Sequence, residues 1–300
     1  MEYLINPKPI NEASNIDGVW YQDYEGNDPS TGETVIKKMK YDGSQWVPAE
    51  TGKIDLTKKL GNSAGAISLK KSTITLDKTL INLSKNSGIN LQGHRAKVAV
   101  DLDYSGSMRS LYKNGSVQRA INRLLPLALR FDDNGELDVW LFETGFRRME
   151  SMGIDNFESY VNEEIMSKNL HFGGTNYAPV LQDNKKFYCN GDKRGLSALI
   201  NKHKDNTPAF VIFITDGDNF DKRDTNSIIT ELAKENVFVQ FVGIGNDDFS
   251  YLKRLDDLKG RECDNTGFIK VSDFDSLSDD ELYNELLVQY VDWLKVKGLQ

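Results

Sequence analysis

The chain has 300 residues, a net charge of −8, 39% hydrophobic and 27% charged residues, which is ordinary for a globular protein on the polar side. It contains no run of 18 apolar residues to span a membrane, and its start, MEYLINPKPINEAS, lacks the basic and apolar regions of a secretory signal. Its only cysteines, Cys189 and Cys263, form no disulfide framework, so a reducing, cytoplasmic setting is expected.

Charge is unevenly spread. Residues 1–50 carry a net −5, residues 51–97 a net +7 and residues 98–300 a net −10. The basic segment suggests docking onto an acidic domain or partner, or simply a solvated lysine-rich surface. An acidic large domain without an aromatic–basic platform disfavours nucleic acid.

Residues 1–50 predict a small β-rich hairpin module. Val19-Trp20-Tyr21 and Val35-Ile36 suit strands on either side of a turn-rich GNDPSTG, and Trp46-Val47-Pro48 follows a second turn. Trp20 and Trp46 are expected to form a mini-core. The W…YDGSQW pattern resembles hairpin modules of phage structural and tail-associated proteins.

Residues 51–95 repeat an Ile-polar-Leu form: Ile54-Asp55-Leu56, Ile67-Ser68-Leu69, Ile74-Thr75-Leu76, Ile81-Asn82-Leu83 and Ile89-Asn90-Leu91. Read with period 2, these predict a leader of short β-strands that must join a sheet.

From residue 96 to 300 strands and helices alternate. Strands are expected at 97–103, 137–142, 209–215, 237–243 and 267–271, with 146–149 as a hairpin partner of the second. Helices are expected at 117–131, 157–167, 177–183, 195–203, 225–235, 249–258 and 279–295. Unbroken apolar strands such as FVIFI predict burial on both sheet faces. The fold class is therefore α/β, a doubly wound, mostly parallel sheet.

The run Val98–Met108, VAVDLDYSGSM, carries the chemistry. Asp103, Ser105 and Ser107 follow a strand end at every second position, where open α/β sheets bind ligands. A carboxylate and two hydroxyls there can converge on one small hard cation. Gly173-Gly174-Thr175 and the strand-terminal Asp216 supply two further pieces.

These motifs resemble the von Willebrand factor A-type (vWA) domain, over roughly residues 96–295. DYSGSM matches its D-x-S-x-S metal motif, Gly173-Gly174-Thr175 its second metal loop and Thr215-Asp216-Gly217 its third. The resemblance implies a metal-ion-dependent adhesion site in which Asp103, Ser105, Ser107, Thr175 and Asp216 surround one divalent cation. Magnesium is expected, with manganese and calcium left open, and hard oxygen ligands argue against zinc. It further implies a protein partner that offers a glutamate or aspartate to the ion. The leader KKSTITLDKTLINLSKNSGINL before such a domain resembles the tellurium-resistance and stress-response group, which implies a cytoplasmic role in protein complexes.

Two residues depart from the pattern. Asp101 puts a carboxylate inside a strand, and Asp218 adds one beside Asp216, where it suits either a supporting water or a solvated turn. Asp101-Leu102-Asp103-Tyr104-Ser105 also fits the D-x-D-x-[TS] motif of haloacid-dehalogenase phosphatases, with Asp101 as nucleophile. That reading leaves Ser107 and the Gly-Gly-Thr loop unexplained. His94, His171 and His203 are scattered and pair with no nucleophile, so a non-catalytic binding module is expected. A virion-associated protein displaying a vWA domain is the remaining alternative.

Overall fold

The computed structural model describes residues 60–190 and 206–299, together with 5–9, 13–16, 19–27, 34–41, 43 and 45–48. The chain divides into two compact units, Met1–Lys53 and Ile54–Gln300.

The first unit is an antiparallel sheet of β1 (Ile5–Pro9), β2 (Ser14–Ile16), β3 (Val19–Asn27), β4 (Thr34–Tyr41) and β5 (Trp46–Pro48), in the order β1-β3-β4-β5 with β2 also on β3. Among the described side chains its core holds Tyr24 and Met39, with Trp46 packed against them. Among these residues Trp20 does not join the expected mini-core. It is 47% exposed, and its cross-strand partner on β2 is the polar Asn15.

The second unit opens with a helix where a strand leader was expected. Residues Ala64–Ser87 form α1, so Ile67-Ser68-Leu69, Ile74-Thr75-Leu76 and Ile81-Asn82-Leu83 are successive pairs of helical turns. The Ile-polar-Leu form that suggested period-2 strands recurs here every seven residues, which is two turns of helix. It aligns Leu69, Leu76 and Leu83 with Ala66, Thr73 and Leu80 on one buried stripe. Ser63 caps the start by accepting from the Ala66 amide at 3.0 Å, and Gly88, at φ 77°, ends it with a left-handed residue. Ile89-Asn90-Leu91 is irregular chain, and Ile54-Asp55-Leu56 lies outside the described residues.

The remainder alternates as predicted. In chain order come β6 (Lys97–Asp103), α2 (Arg109–Lys113), α3 (Ser116–Phe131), β7 (Asp138–Phe142), β8 (Phe146–Arg148), α4 (Ala178–Asn190), β9 (Ala209–Thr215), α5 (Lys222–Leu232), β10 (Val237–Ile244), α6 (Ser250–Asp256), β11 (Thr266–Val271) and α7 (Asp279–Lys297). The helix expected at 157–167 is instead a π-helical turn, Val161–Ile165, running into a 3-10 turn, Met166–Lys168. The helix expected at 195–203 lies outside the described residues.

The sheet order is β11-β10-β9-β6-β7-β8, parallel throughout except for the β7–β8 hairpin. Alternate residues feed two cores. Val98, Val100, Leu102, Phe210, Ile212 and Ile214 meet α3 and α7 on one face, and α1 packs against those two helices. Ala99, Val211, Phe213, Val239 and Phe241 meet α4, α5 and α6 on the other. Burial on both faces explains why β9 and β10 are apolar at nearly every position. The helix α1 is tied on by polar bonds as well: Ser72 and Thr79 donate to Asp279 and Asp280, and Arg130 forks onto Asp77 at 2.6 and 2.8 Å.

From β6 the chain runs outward to β7 and β8, then returns to place β9 on the other side of β6. The strand order therefore reverses between β6 and β9, and loops leaving their carboxyl ends part to open a crevice.

Candidate metal centre

Asp103 ends β6, and the backbone then turns through the buried Ser105 to the exposed Ser107. Asp103 is fully buried and held at both oxygens. The Ser105 amide donates to Oδ1 at 2.8 Å, and the Thr215 hydroxyl at the end of β9 donates to Oδ2 at 2.6 Å. The Tyr112 hydroxyl also donates to the Asp103 carbonyl at 3.0 Å.

Of the expected site residues, Asp103, Ser105, Ser107 and Asp216 are linked by hydrogen bonds, whereas Thr175 is tied in only through the main chain of its loop. The Ser105 and Ser107 hydroxyls lie 3.0 Å apart, and Ser107 Oγ donates to Asp216 Oδ1 at 2.8 Å. The Gly-Gly-Thr loop joins through main-chain bonds. Ser105 bridges Gly173, with Gly106 N–H to the Gly173 carbonyl at 3.1 Å and Gly173 N–H to the Tyr104 carbonyl at 3.2 Å. Thr175 is buried, and its carbonyl accepts from the Phe220 amide at 3.0 Å, which ties it to the loop after Asp216.

The glycine at 173 has a steric reason. A Cβ there would lie 2.9 Å from the Glu143 Cβ and would also meet that residue's carboxylate. Only a bare α-carbon lets the loop approach the end of β7 this closely.

Burial raises both acids. Asp103 is pushed up to about 6 by desolvation, opposed by the Thr215 and Ser105 hydrogen bonds and reinforced by the like charge of Asp216. Asp216 is raised by desolvation and by Asp247, against the bond from Ser107. Two half-compensated carboxylates beside two hydroxyls make a strong field for a cation.

The donor set suits a small hard ion. Neighbouring oxygens in an octahedral shell with bonds of about 2.0–2.1 Å stand about 2.8–3.0 Å apart. The Ser105–Ser107 and Ser107–Asp216 separations of 3.0 and 2.8 Å are ordinary hydrogen-bond lengths, and oxygens already this close need little movement to share such a shell. Among the described residues no group of three His, Cys, Asp or Glu side chains is placed to hold a metal, so a centre here depends on hydroxyls.

Several supporting residues escaped sequence reasoning. Besides Thr215, the Tyr177 hydroxyl lies 3.2 Å from Thr215 Oγ1 and donates to the Gly217 carbonyl at 2.6 Å. Asp221 accepts from the Tyr177 and Ala178 amides at 3.0 and 2.8 Å, and so caps α4 from a distant loop. Asn219 donates to Asp221 and Thr225. These bonds lock the second and third loops together. A local signal is lacking for the bonds of Tyr177 and Ala178, because each joins residues about 40 positions apart.

Other residues singled out in the sequence sit away from the cluster. Asp218 is exposed and pairs with Lys222, so it faces solvent. His171 is exposed; His94 is buried against Tyr290, 2.8 Å away, and burial pushes its pKa down to about 4. His203 lies outside the described residues.

Asp101 is fully buried on the α4 side of the sheet, where Asn184 Nδ2 donates to its Oδ2 at 2.6 Å. Its Oδ1 and the Asn184 Oδ1 have no partner among the described residues. Desolvation raises its pKa well above the usual carboxylate range. Fully buried against α4, Asp101 has no surface open to a phosphate ester, which counts against the phosphatase assignment of Asp101 as nucleophile.

A mostly parallel six-stranded sheet with hydroxyls and carboxylates gathered over its switch point defines a vWA domain. The chain belongs to the vWA-TerF-like family, described as the vWA found in the TerF C terminus, whose model it matches over residues 95–298. It is 42% identical over 202 residues to the uncharacterized protein YcbR of Bacillus subtilis (strain 168), covering 67% of this chain and 78% of that one. Similar solved structures include the ArnB paralog VWA2 of Sulfolobus acidocaldarius, at 18% identity and TM-score 0.40, covering 65% of this chain and 46% of that chain. Proximal thread matrix protein 1 of the mussel byssus is 16% identical with TM-score 0.46, covering 67% of this chain and 47% of that chain. The chain thus spans about half the length of these two. Manganese-loaded TRAP protein of Plasmodium vivax is 19% identical with TM-score 0.45, covering 66% of this chain and 74% of that chain.

Proposed function

We propose that this chain is a non-catalytic, cation-dependent protein-binding module, with residues 96–300 as the binding domain. Asp103, Ser105, Ser107, Thr175 and Asp216 would hold one divalent ion, magnesium by the hardness of the ligands. When bound, the ion supplies an electrophilic position that attracts a carboxylate oxygen from another protein. The chain's own residues do the rest. Thr215 and the Ser105 amide orient Asp103, Ser107 aligns with Asp216, and the Gly173 contacts hold the Thr175 loop against the first motif. Asp103 and Asp216 supply two negative charges, which balance a divalent ion, and the hydroxyl ligands add none, so the ion keeps more pull on a third acid than an all-carboxylate shell would leave it.

The observation that carries this reading is Ser107 bonded at once to Ser105 and to Asp216, which gathers hydroxyl and carboxylate oxygens from loops 109 residues apart into one cluster. Membership of the TerF-related family supports a cytoplasmic role in tellurium resistance or a related stress response. No helix among the described residues is long and apolar enough to cross a membrane, in keeping with that setting.

The test is calorimetric titration of magnesium and manganese into wild type and Asp103→Ala, followed by partner capture with and without EDTA. One equivalent of ion in wild type, none in the variant, and loss of the same partner on chelation are expected. A wild type that takes up no divalent ion refutes the reading.

A further inference from the structure

Phe220 is 84% exposed, the highest value among the large apolar side chains described. Single exposed apolar residues are common and need no explanation. This one differs in how it is held and where it stands.

Its backbone is fixed. The Phe220 amide donates to the Thr175 carbonyl at 3.0 Å. On one side of it Asn219 is buried and bonded to Asp221 and Thr225. On the other, Asp221 caps α4 through the Tyr177 and Ala178 amides. The ring therefore projects into solvent from a rigid loop. It also lies on the candidate metal centre's rim, with its edge 3.7 Å from where a Cβ on Gly174 would stand. Gly174 offers the ring a flat backbone seat between itself and Thr144, whose Cγ2 is 3.1 Å from the same point.

We infer that Phe220 is a specificity anchor of the binding face, selecting a protein segment that carries an aliphatic or aromatic residue within three positions of its metal-seeking Asp or Glu. An extended segment rises about 3.3 Å per residue, so three positions reach about 10 Å from the carboxylate. A pre-positioned aromatic side chain loses little freedom on binding and buries a large apolar area, the pattern of interface hot spots. The inference rests on the metal-dependent reading above.

The experiment displays a seven-residue peptide library with a fixed central Glu and selects it on the full chain in magnesium. Wild type is expected to enrich apolar residues within three positions of the Glu. Selected peptides are expected to bind Phe220→Ala roughly 10- to 100-fold more weakly, and Phe220→Leu with most of the wild-type affinity. Manganese uptake by Phe220→Ala, read by calorimetry, stays at the wild-type value, since the side chain is not a ligand. Binders without apolar preference, equal affinity for Phe220→Ala, or no binders to a wild type that does take up manganese each overturn the anchor alone. A wild type that takes up no ion overturns the metal reading and this inference with it.

Discussion

Thr215→Val tests whether the metal centre is organised from beneath. Valine keeps the shape of threonine but removes the hydroxyl that donates to Asp103 Oδ2 at 2.6 Å in a fully buried position. A hydrogen bond to a charged group is worth about 1.5–3 kcal/mol, and Asp103 must be ionised to bind a cation. Tyr177 keeps its bond to the Gly217 carbonyl, so the loop above loses only a secondary contact. The expected loss is therefore roughly 10- to 100-fold in magnesium or manganese affinity, the usual range for a residue that orients a ligand. Calorimetric titration of wild type and variant at pH 7.5 reads it directly. The deficit is expected to widen at pH 6. Asp103 titrates at about 6 in the metal-free protein, and losing a bond to its charged form raises that value further. Unchanged affinity in a folded Thr215→Val protein would refute the argument that this bond sets the carboxylate.

Gly173→Ala forces a Cβ against the Glu143 Cβ, at 2.9 Å, and is expected to cost about 1–3 kcal/mol of stability in urea and to weaken metal uptake. Gly106→Ala, where a Cβ meets nothing within 4 Å, is its neutral control, and equal loss in both variants would rule out the steric account. Asp101→Asn is expected to stabilise the protein at pH 7 more than at pH 4. The folded-state pKa of Asp101 is raised, so wild-type stability is fully present below the unfolded value near 3.8 and declines as pH rises toward the folded one. A denaturation series over pH 4–7 that runs parallel for the two proteins argues against a raised value. Leu76→Ala, on the buried stripe of α1, is expected to cost about 2–5 kcal/mol, whereas a loss below about 1 kcal/mol would show the helix to be loosely docked.

The parts of this protein written in short-range pattern were legible in its residues. Unbroken apolar runs such as Phe210–Ile214 announced strands buried on both faces, and the motifs at Asp103, Gly173 and Asp216 stood at strand ends or loops in the order the fold requires. Periodicity failed where one spacing suits two structures: Ile-x-Leu at intervals of seven is a strand motif locally and a helical stripe once α3 and α7 cover it. Contacts between distant segments left no mark in sequence. Which face of β6 takes Asp101, which hydroxyl seats Asp103, and that Asp221 caps a helix begun some forty residues earlier all follow from packing, because side-chain bonds depend on proximity in space and the chain's order constrains that only weakly.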